Sequence, residues 1–417
     1  MIKKIAQTGI AALLLTSAGM ASAASTCSAS YVTRNDWGTG YVADLVLTNS
    51  GGGTVSNWTV SLNYPSPVWA ANSPWGANFG FNGNNVTIKD DGNHPNIFAG
   101  GTVSFGAVIG FYGNKTNPTV TVTGNGCSEV ANAGTALYID PDSSAARWVN
   151  ANPSDGRKAD IYAQIANQPS ARWFGNWSGD IGSAVNSYVS GAASKNQTPV
   201  LVAYNILGRD CGQYSSGGAG TSAAYQDWIR AFAAAIGKRN AIVILEPDAL
   251  PQLDCLSAAN QADRLNLIKY AVAQFKPTGA SLYLDIGNSA WLSPAEAAKR
   301  LNNAGIADAH GFSLNVSNYR TDAEANPYGS AVSASLQQQF GYSRPFVVDT
   351  SRNGVGPLGT EWCDPAGRKI GKKPTRNGAG AQPEMTLWIK SPGEADGCAA
   401  AAGNFSPDLT YKLIYGY

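Results

Sequence analysis

Charge is the first thing this 417-residue sequence is short of. Only 14% of it is Asp, Glu, Lys or Arg, against about 25% in an average soluble protein. The formal net charge is +1, and taking away Lys3 and Lys4 turns it into −1. A chain so balanced has no basic face to neutralise phosphates, which excludes nucleic acid and acidic surfaces as partners. Histidine is nearly absent too: His94 and His310 are the only two. Hydroxyl and thiol nucleophiles need an imidazole beside them, and no GxSxG is present. With no CxxC and so little histidine, zinc lacks ligands, so no metal and no organic cofactor is expected. Long apolar runs are missing as well. A membrane helix needs about 20 apolar residues, and no stretch supplies them.

What the chain does have points outside the cell. Lys3 and Lys4 precede a short apolar run, 10–15, and then Ala21-Ser22-Ala23. These are the three parts of a secretory signal peptide, predicted over 1–23. The mature chain then begins at Ala24, which also removes the N-terminal histidine that a copper monooxygenase requires. Six cysteines follow: Cys27, Cys127, Cys211, Cys255, Cys363 and Cys398. An even number behind a leader reads as three disulfides, of which 15 pairings are possible and the sequential one is simplest. Polarity comes from Asn, Gly, Ser and Thr, beside 11 Trp. Amides and indoles suit a neutral, hydroxyl-rich ligand.

The pattern changes once along the chain. Between Cys27 and Cys127, short alternating or β-branched runs (41–48, 58–64, 85–89, 102–108) are separated by Gly and Asn clusters. This predicts an antiparallel β-sandwich over 24–127. Residues 128–135 are small and polar, a brief linker. From 136 to 417, apolar runs alternate with amphipathic stretches such as 223–236 and 262–275. The runs are 136–139, 200–204, 241–245, 281–284, 311–316, 345–348 and 386–389. Buried strands alternating with helices predict a parallel sheet. Seven of them favour a distorted TIM-like α/β barrel over a doubly wound sheet, because no GxGxxG follows a strand.

Five of these runs end in acid. Residues 241–245 lead into Glu246-Pro247-Asp248, 281–284 into Asp285, and 345–348 into Asp349; Asp210 follows 200–204, and Glu394 and Asp396 follow 386–389. One Asp at a strand end is commonly a turn or a cap. In a parallel barrel, however, all such ends gather on the face where active sites lie. Carboxylates without histidine suit glycoside hydrolysis, in which one carboxylic acid protonates the leaving oxygen and a second carboxylate assists water. Crowded like charges would keep the acid protonated.

Seven motifs occur in order: YNILGRDC (204–211), ILEPDAL (244–250), YLDIGNSAW (283–291), NVSNY (315–319), VDTSRNG (348–354), EWC (361–363) and KSPGEADGC (390–398). Together they resemble glycoside hydrolase family 6 cellulases across 136–417. The resemblance implies an inverting β-1,4-glucanase in a distorted parallel barrel, acting on cellulose and β-1,4-glucan oligosaccharides; a monomer is expected. It implies Asp248 as general acid, and Asp210 as the partner that keeps it protonated and organises water. It further implies Asp396 as base, with a water chain to Asp210 as the other possibility. Tyr204 would crowd the distorted sugar, and Ser216 would position water on the Gly-rich loop 215–220. Trp173, Trp291 and Trp362 would stack on sugars, with Lys390, Glu394 and Asp285 as further contacts. Arg209 is expected to pair with a nearby carboxylate. Asn288 stands where many relatives have His. Roofed, exo-acting cellobiohydrolases of the family carry long loops inside their disulfide-bounded segments. Here those segments span only 44 and 35 residues, which favours an open, endo-acting cleft over the cellobiohydrolase alternative.

Residues 27–127 resemble carbohydrate-binding module family 2, carried by NDWGTGY (35–41), NWTV (57–60) and AGGTVSFG (99–106). Members that bind crystalline cellulose use a flat row of three exposed aromatics. Trp37 matches the first and Trp75 is chosen for the second, with Trp69 as its competitor. The third falls near Asn93-His94, where no Trp stands, so either binding is weaker than usual or the row is redrawn with Trp69. Trp58 is read as core.

Overall fold

The computed structural model describes residues 27–49, 53–112, 118–125, 127, 136–212, 215–377 and 381–417. The expected signal peptide and the linker 128–135 lie outside the described residues.

The described residues between 27 and 127 form two antiparallel sheets. The strands are β1 (Cys27–Arg34), β2 (Gly40–Asn49), β3 (Val55–Asn63), β4 (Val68–Ala70), β5 (Asn78–Asn82), β6 (Asn85–Lys89), β7 (Asn96–Ile97), β8 (Thr102–Phe111) and β9 (Thr119–Asn125). One sheet runs β1-β2-β8-β4; in the other, β3 pairs with β6, β7 and β9, and β5 pairs with β6. Inward residues alternate along each strand, as a sandwich requires: Tyr41, Ala43, Leu45 and Leu47 of β2 face Val60 and Leu62 of β3 in one core. Trp58 lies inside it at 2% exposure, stacked on Phe105 and donating Nε1–H to the His94 carbonyl at 2.9 Å. The Cys27–Cys127 disulfide ties the two ends.

The second unit is built on β10 (Arg172–Phe174), β11 (Val200–Ala203), β12 (Ala241–Leu245), β13 (Ala280–Asp285), β14 (Gly311–Leu314), β15 (Phe346–Asp349), β16 (Thr375–Arg376) and β17 (Met385–Leu387). Seven are parallel and adjacent in the order β10-β11-β12-β13-β14-β15-β17; β16 runs antiparallel to β17. Helices Ile181–Ser194, Ser222–Ile236, Ala258–Phe275, Pro294–Asn303 and Asp322–Phe340 connect them. Their starts are set by Asp180, Thr221, Ser257 and Ser293, whose side chains each accept a first-turn N–H, and by a capping box between Thr321 and Glu324. Strand side chains alternate between the two cores. Val200, Val202, Ile242, Ile244 and Val347 fill the barrel interior, while Leu201, Ala203, Val243, Leu245 and Val348 pack under the helices. Because both faces are covered, the strands read as continuous apolar runs.

One strand differs from expectation. Residues 136–139 contribute only an isolated parallel bridge, Leu137 to Thr198. The seventh parallel strand is Arg172–Phe174, three residues long and polar at its start, too short to carry a period. No ladder joins β10 to β17. One backbone bond, Ala171 N–H to the Trp388 carbonyl at 2.9 Å, and the Trp173 indole N–H to the Ile389 carbonyl at 2.8 Å span the seam. The barrel is therefore split along its length. Among the described residues no helix is long and apolar enough to cross a membrane.

Replacing Trp58 with Ala empties the centre of the sandwich and orphans the His94 carbonyl. Denaturant unfolding of the sandwich transition should show a loss of about 3–5 kcal/mol.

Candidate active site

Parallel register brings the strand ends to one face, with Ala203 beside Leu245, Leu245 beside Leu284, and Asp349 beside Leu387. The chain leaves these ends through turns that ordinary residues seldom adopt. Glu246 has φ 48°, Asp248 68°, Asp210 55°, Asn315 67° and Ser317 57°. Each left-handed non-glycine residue costs about 1 kcal/mol or more, so something must hold it there.

Buried carboxylates do the holding. Glu246, 0% exposed, accepts the Asn205 N–H on both oxygens and the Ile206 N–H on one, all at 3.0 Å. Asp285 accepts from Asp248 N–H at 2.9 Å, Gly287 N–H at 3.1 Å and Ser313 Oγ at 3.1 Å. Asp349 accepts four backbone N–H groups, from Ser317, Ser351, Ile389 and Lys390. Burial raises the pKa of Glu246 to about 7 despite these donors. It does the same for Asp285, also to about 7, and it raises Asp349 as well. The sequence placed Asp285 among sugar contacts. At 1% exposure it holds the backbone of Asp248.

Asp248 is different in kind. It is half-buried, and its Oδ1 is closed to solvent with no hydrogen-bond partner. Burial first, then the negative charges of Asp285 and Asp210, raise its pKa well above the usual carboxylate range. A carboxyl in that setting keeps its proton and can give it away. Asp210 stands on the β11 exit and accepts the Ser215 N–H at 2.7 Å. Tyr204 feels both carboxylates, and burial followed by their charges pushes its hydroxyl pKa upward. Its ring meets Trp173 edge-on at 5.2 Å.

Asp396 lies in the opposite field. Burial works against its charge, but Arg352 at 2.6 Å and Lys390 at 3.1 Å outweigh that, and the net shift is downward. It remains a carboxylate. Glu394 accepts from Ser144 Oγ at 2.7 Å, and burial raises its pKa. Trp291 and Trp362 are 44% and 46% exposed; Trp173 is half-buried. Asn288 is buried, with Oδ1 on the Ala290 N–H. Ser216 is exposed, and its carbonyl lies 3.5 Å from Arg209 Nη2.

Arg209 corrects an expectation. Among the described residues it makes no ion pair. Its guanidinium donates to the carbonyls of Tyr204 and Ser215 and to Asn176 Oδ1, and it lies 4.8 Å from the Tyr204 ring and 5.1 Å from the Trp177 ring. It clamps the 215–217 loop to the β11 exit. Trp177 was not singled out from the sequence, since one Trp in a Gly/Asn-rich turn carries no pattern. Glu246 is legible in the sequence as a strand-end acid, but its backbone-holding part is not.

The three disulfides pair sequentially, Cys27–Cys127, Cys211–Cys255 and Cys363–Cys398. On the sandwich, Trp37, Trp69 and Trp75 are 53%, 37% and 42% exposed. Each indole lies on a glycine: a Cβ at Gly40, Gly110 or Gly106 would fall 2.8, 2.4 or 2.3 Å from the respective ring. Gly40 pairs with Gly110, and Gly106 is four residues along the same strand, about 13 Å away. The three rings therefore pave one sheet face. Trp69 and Trp75 both belong to it.

The family profile of glycosyl hydrolases family 6 matches residues 132–409, and that of the cellulose binding domain CBM2 matches residues 27–127. "Endoglucanase 1" of Streptomyces halstedii is 53% identical over 289 residues, 67% of this chain and 89% of its own length. "Endoglucanase A" of Cellulomonas fimi is 34% identical over 432 residues, covering 94% of this chain and 92% of its own. Among solved structures, the endoglucanase Cel6 from Mycobacterium tuberculosis, bound to a methyl-cellobiosyl-thio-cellobioside, superposes with a TM-score of 0.63. It is 40% identical and covers 68% of this chain and 98% of its own.

A raised carboxyl pKa makes the fold bind more protons than the unfolded chain between the two values. The stability from Glu246 and Asp285 is thus fully present below their unfolded pKa values and is lost as pH rises through about 7. Melting temperature should fall from pH 5 to pH 8, and the slope should flatten in Glu246→Gln. A Glu246→Gln profile parallel to wild type would refute this assignment.

Proposed function

This chain belongs to glycosyl hydrolase family 6, and from that membership we propose that it is a secreted endo-β-1,4-glucanase that cuts cellulose with inversion and is held on the polymer by its sandwich. The observation that carries the chemistry is Asp248, a carboxyl kept neutral by burial and by two like charges. In this reading Asp248 protonates the glycosidic oxygen as the bond to the anomeric carbon breaks, and water attacks that carbon from the opposite face. Tyr204 presses on the sugar ring at the cleavage point, and Ser216 helps to place water.

The two remaining carboxylates divide the rest. Asp396, fixed as an anion by Arg352 and Lys390, steadies the positive charge that develops on the sugar. Its lowered pKa makes it a weak proton acceptor, which favours relay of the water's proton to Asp210. Trp173, Trp291 and Trp362 are the sugar platforms, with Lys390 and Glu394 at the hydroxyls. Endo action is supported by Trp291 and Trp362: a roofed tunnel would bury them, and both stand nearly half exposed. Three disulfides agree with an oxidising, extracellular setting.

On carboxymethyl-cellulose, viscosity should collapse while few reducing ends appear. Cellobiose release with little change in viscosity would mean the exo mode. Asp248→Ala should lower kcat on the same substrate by about 10²–10⁴, and retained activity would remove it as the acid.

The Trp37→Ala/Trp69→Ala/Trp75→Ala variant should pull down with crystalline cellulose far less than wild type. Its rate on soluble substrate should be unchanged. Undiminished adsorption would place the binding face elsewhere.

A further inference from the structure

We propose that Trp177 is an additional sugar platform, binding a glucosyl ring of the β-1,4-glucan beyond those contacted by Trp173 and Tyr204; the proposal rests on the glucanase reading above. Trp177 follows the C-terminal end of β10, four residues after Trp173, and at 56% it is the most exposed of the eleven tryptophans. An indole placed for packing alone would be mostly covered. Its place is set by two contacts. The ring rests on the backbone of Gly175, where a Cβ would fall 2.4 Å from it. The Arg209 guanidinium lies 5.1 Å from its centroid and 4.8 Å from that of Tyr204.

The glycine contact is the telling one. Trp37, Trp69 and Trp75 each lie on a glycine, and so does Trp291, 2.5 Å from where a Gly287 Cβ would stand. These are four of the six tryptophans read as sugar-facing; Trp173 and Trp362 reach their positions without a glycine beneath them. The buried Trp58 and Trp388 lie against no glycine in this way. A glycine beneath an indole lets the ring settle flat and leaves its outer surface bare, the form a pyranose face needs. Arg209 in turn is pinned by Tyr204, Asn176 and Ser215, so the ring is fixed before any ligand arrives and little ordering entropy remains to be lost.

The test compares full-length wild type, Trp177→Ala and Trp177→Phe on cellotriose and cellohexaose. In Trp177→Ala, KM for cellohexaose should rise between about two- and tenfold, with kcat within about twofold, an unchanged pH profile and cellotriose unaffected. Trp177→Phe should recover most of the loss. An unchanged KM for cellohexaose would overturn the platform. Equal effects on both substrates, or a shift in kcat or pH profile, would also overturn it and show that the ring only props Arg209. If wild type itself cleaves neither sugar, the glucanase reading fails, and the platform with it.

Discussion

The catalytic face depends on buried carboxylates hydrogen-bonded to backbone N–H groups at the strand ends. A parallel sheet leaves those groups without partners where the chain turns away, and an unpaired buried amide costs as much as a lost hydrogen bond. Asp349 satisfies four of them and thereby joins the exits of β14, β15 and β17. Glu246 ties the β11 exit to β12, and Asp285 ties β12 to β13. The left-handed turns at Glu246, Asp248, Asn315 and Ser317 persist because these acceptors oppose their strain. Remove one acceptor, and two neighbouring loops lose their relative position.

That scaffold has an electrostatic consequence. Carboxylates needed for structure crowd Asp248. Asp285 holds the Asp248 backbone and also repels its charge, so positioning and protonation come from one side chain. Across the site, Asp396 faces Arg352 and Lys390 and is driven the other way. Two carboxyls of similar intrinsic acidity are thus set apart by their neighbours alone, one held protonated and the other held as an anion.

How much of this the sequence disclosed follows from range. Apolar runs marked β11 to β15 because both faces of each strand are buried, and the acids after β12, β13 and β15 were visible as strand-end residues. Sequential disulfides followed from simple bracketing. Range also explains the misses. Arg172–Phe174 is too short for a period, so Leu137 was taken for its strand. Asp285 and Asp349 looked like Asp248 in sequence, since most of their hydrogen-bond partners lie 28 to 41 positions away. Arg209 was expected at a carboxylate, but carbonyls of its own loop took it first. Signal peptide and linker lie outside the described residues.

The sandwich solves a different problem with the opposite means. Its tryptophan face holds apolar rings flat in water, a posture that invites collapse or rotation. Glycines at 40, 106 and 110 remove the Cβ atoms that would prop the indoles away, and the pleat puts all three on one side. Any residue larger than glycine at 106 would meet Trp75 at 2.3 Å and the Ala43 carbonyl at 2.6 Å, so the platform cannot survive by side-chain adjustment alone. Flatness is therefore a property of the strand beneath rather than of the tryptophan, which is why spacing between tryptophans could not decide between Trp69 and Trp75. The same relation at Gly287 and Gly175 carries the argument into the catalytic unit. Where glycine lies under an exposed indole, the backbone has been shaped for a ring that something else is meant to cover.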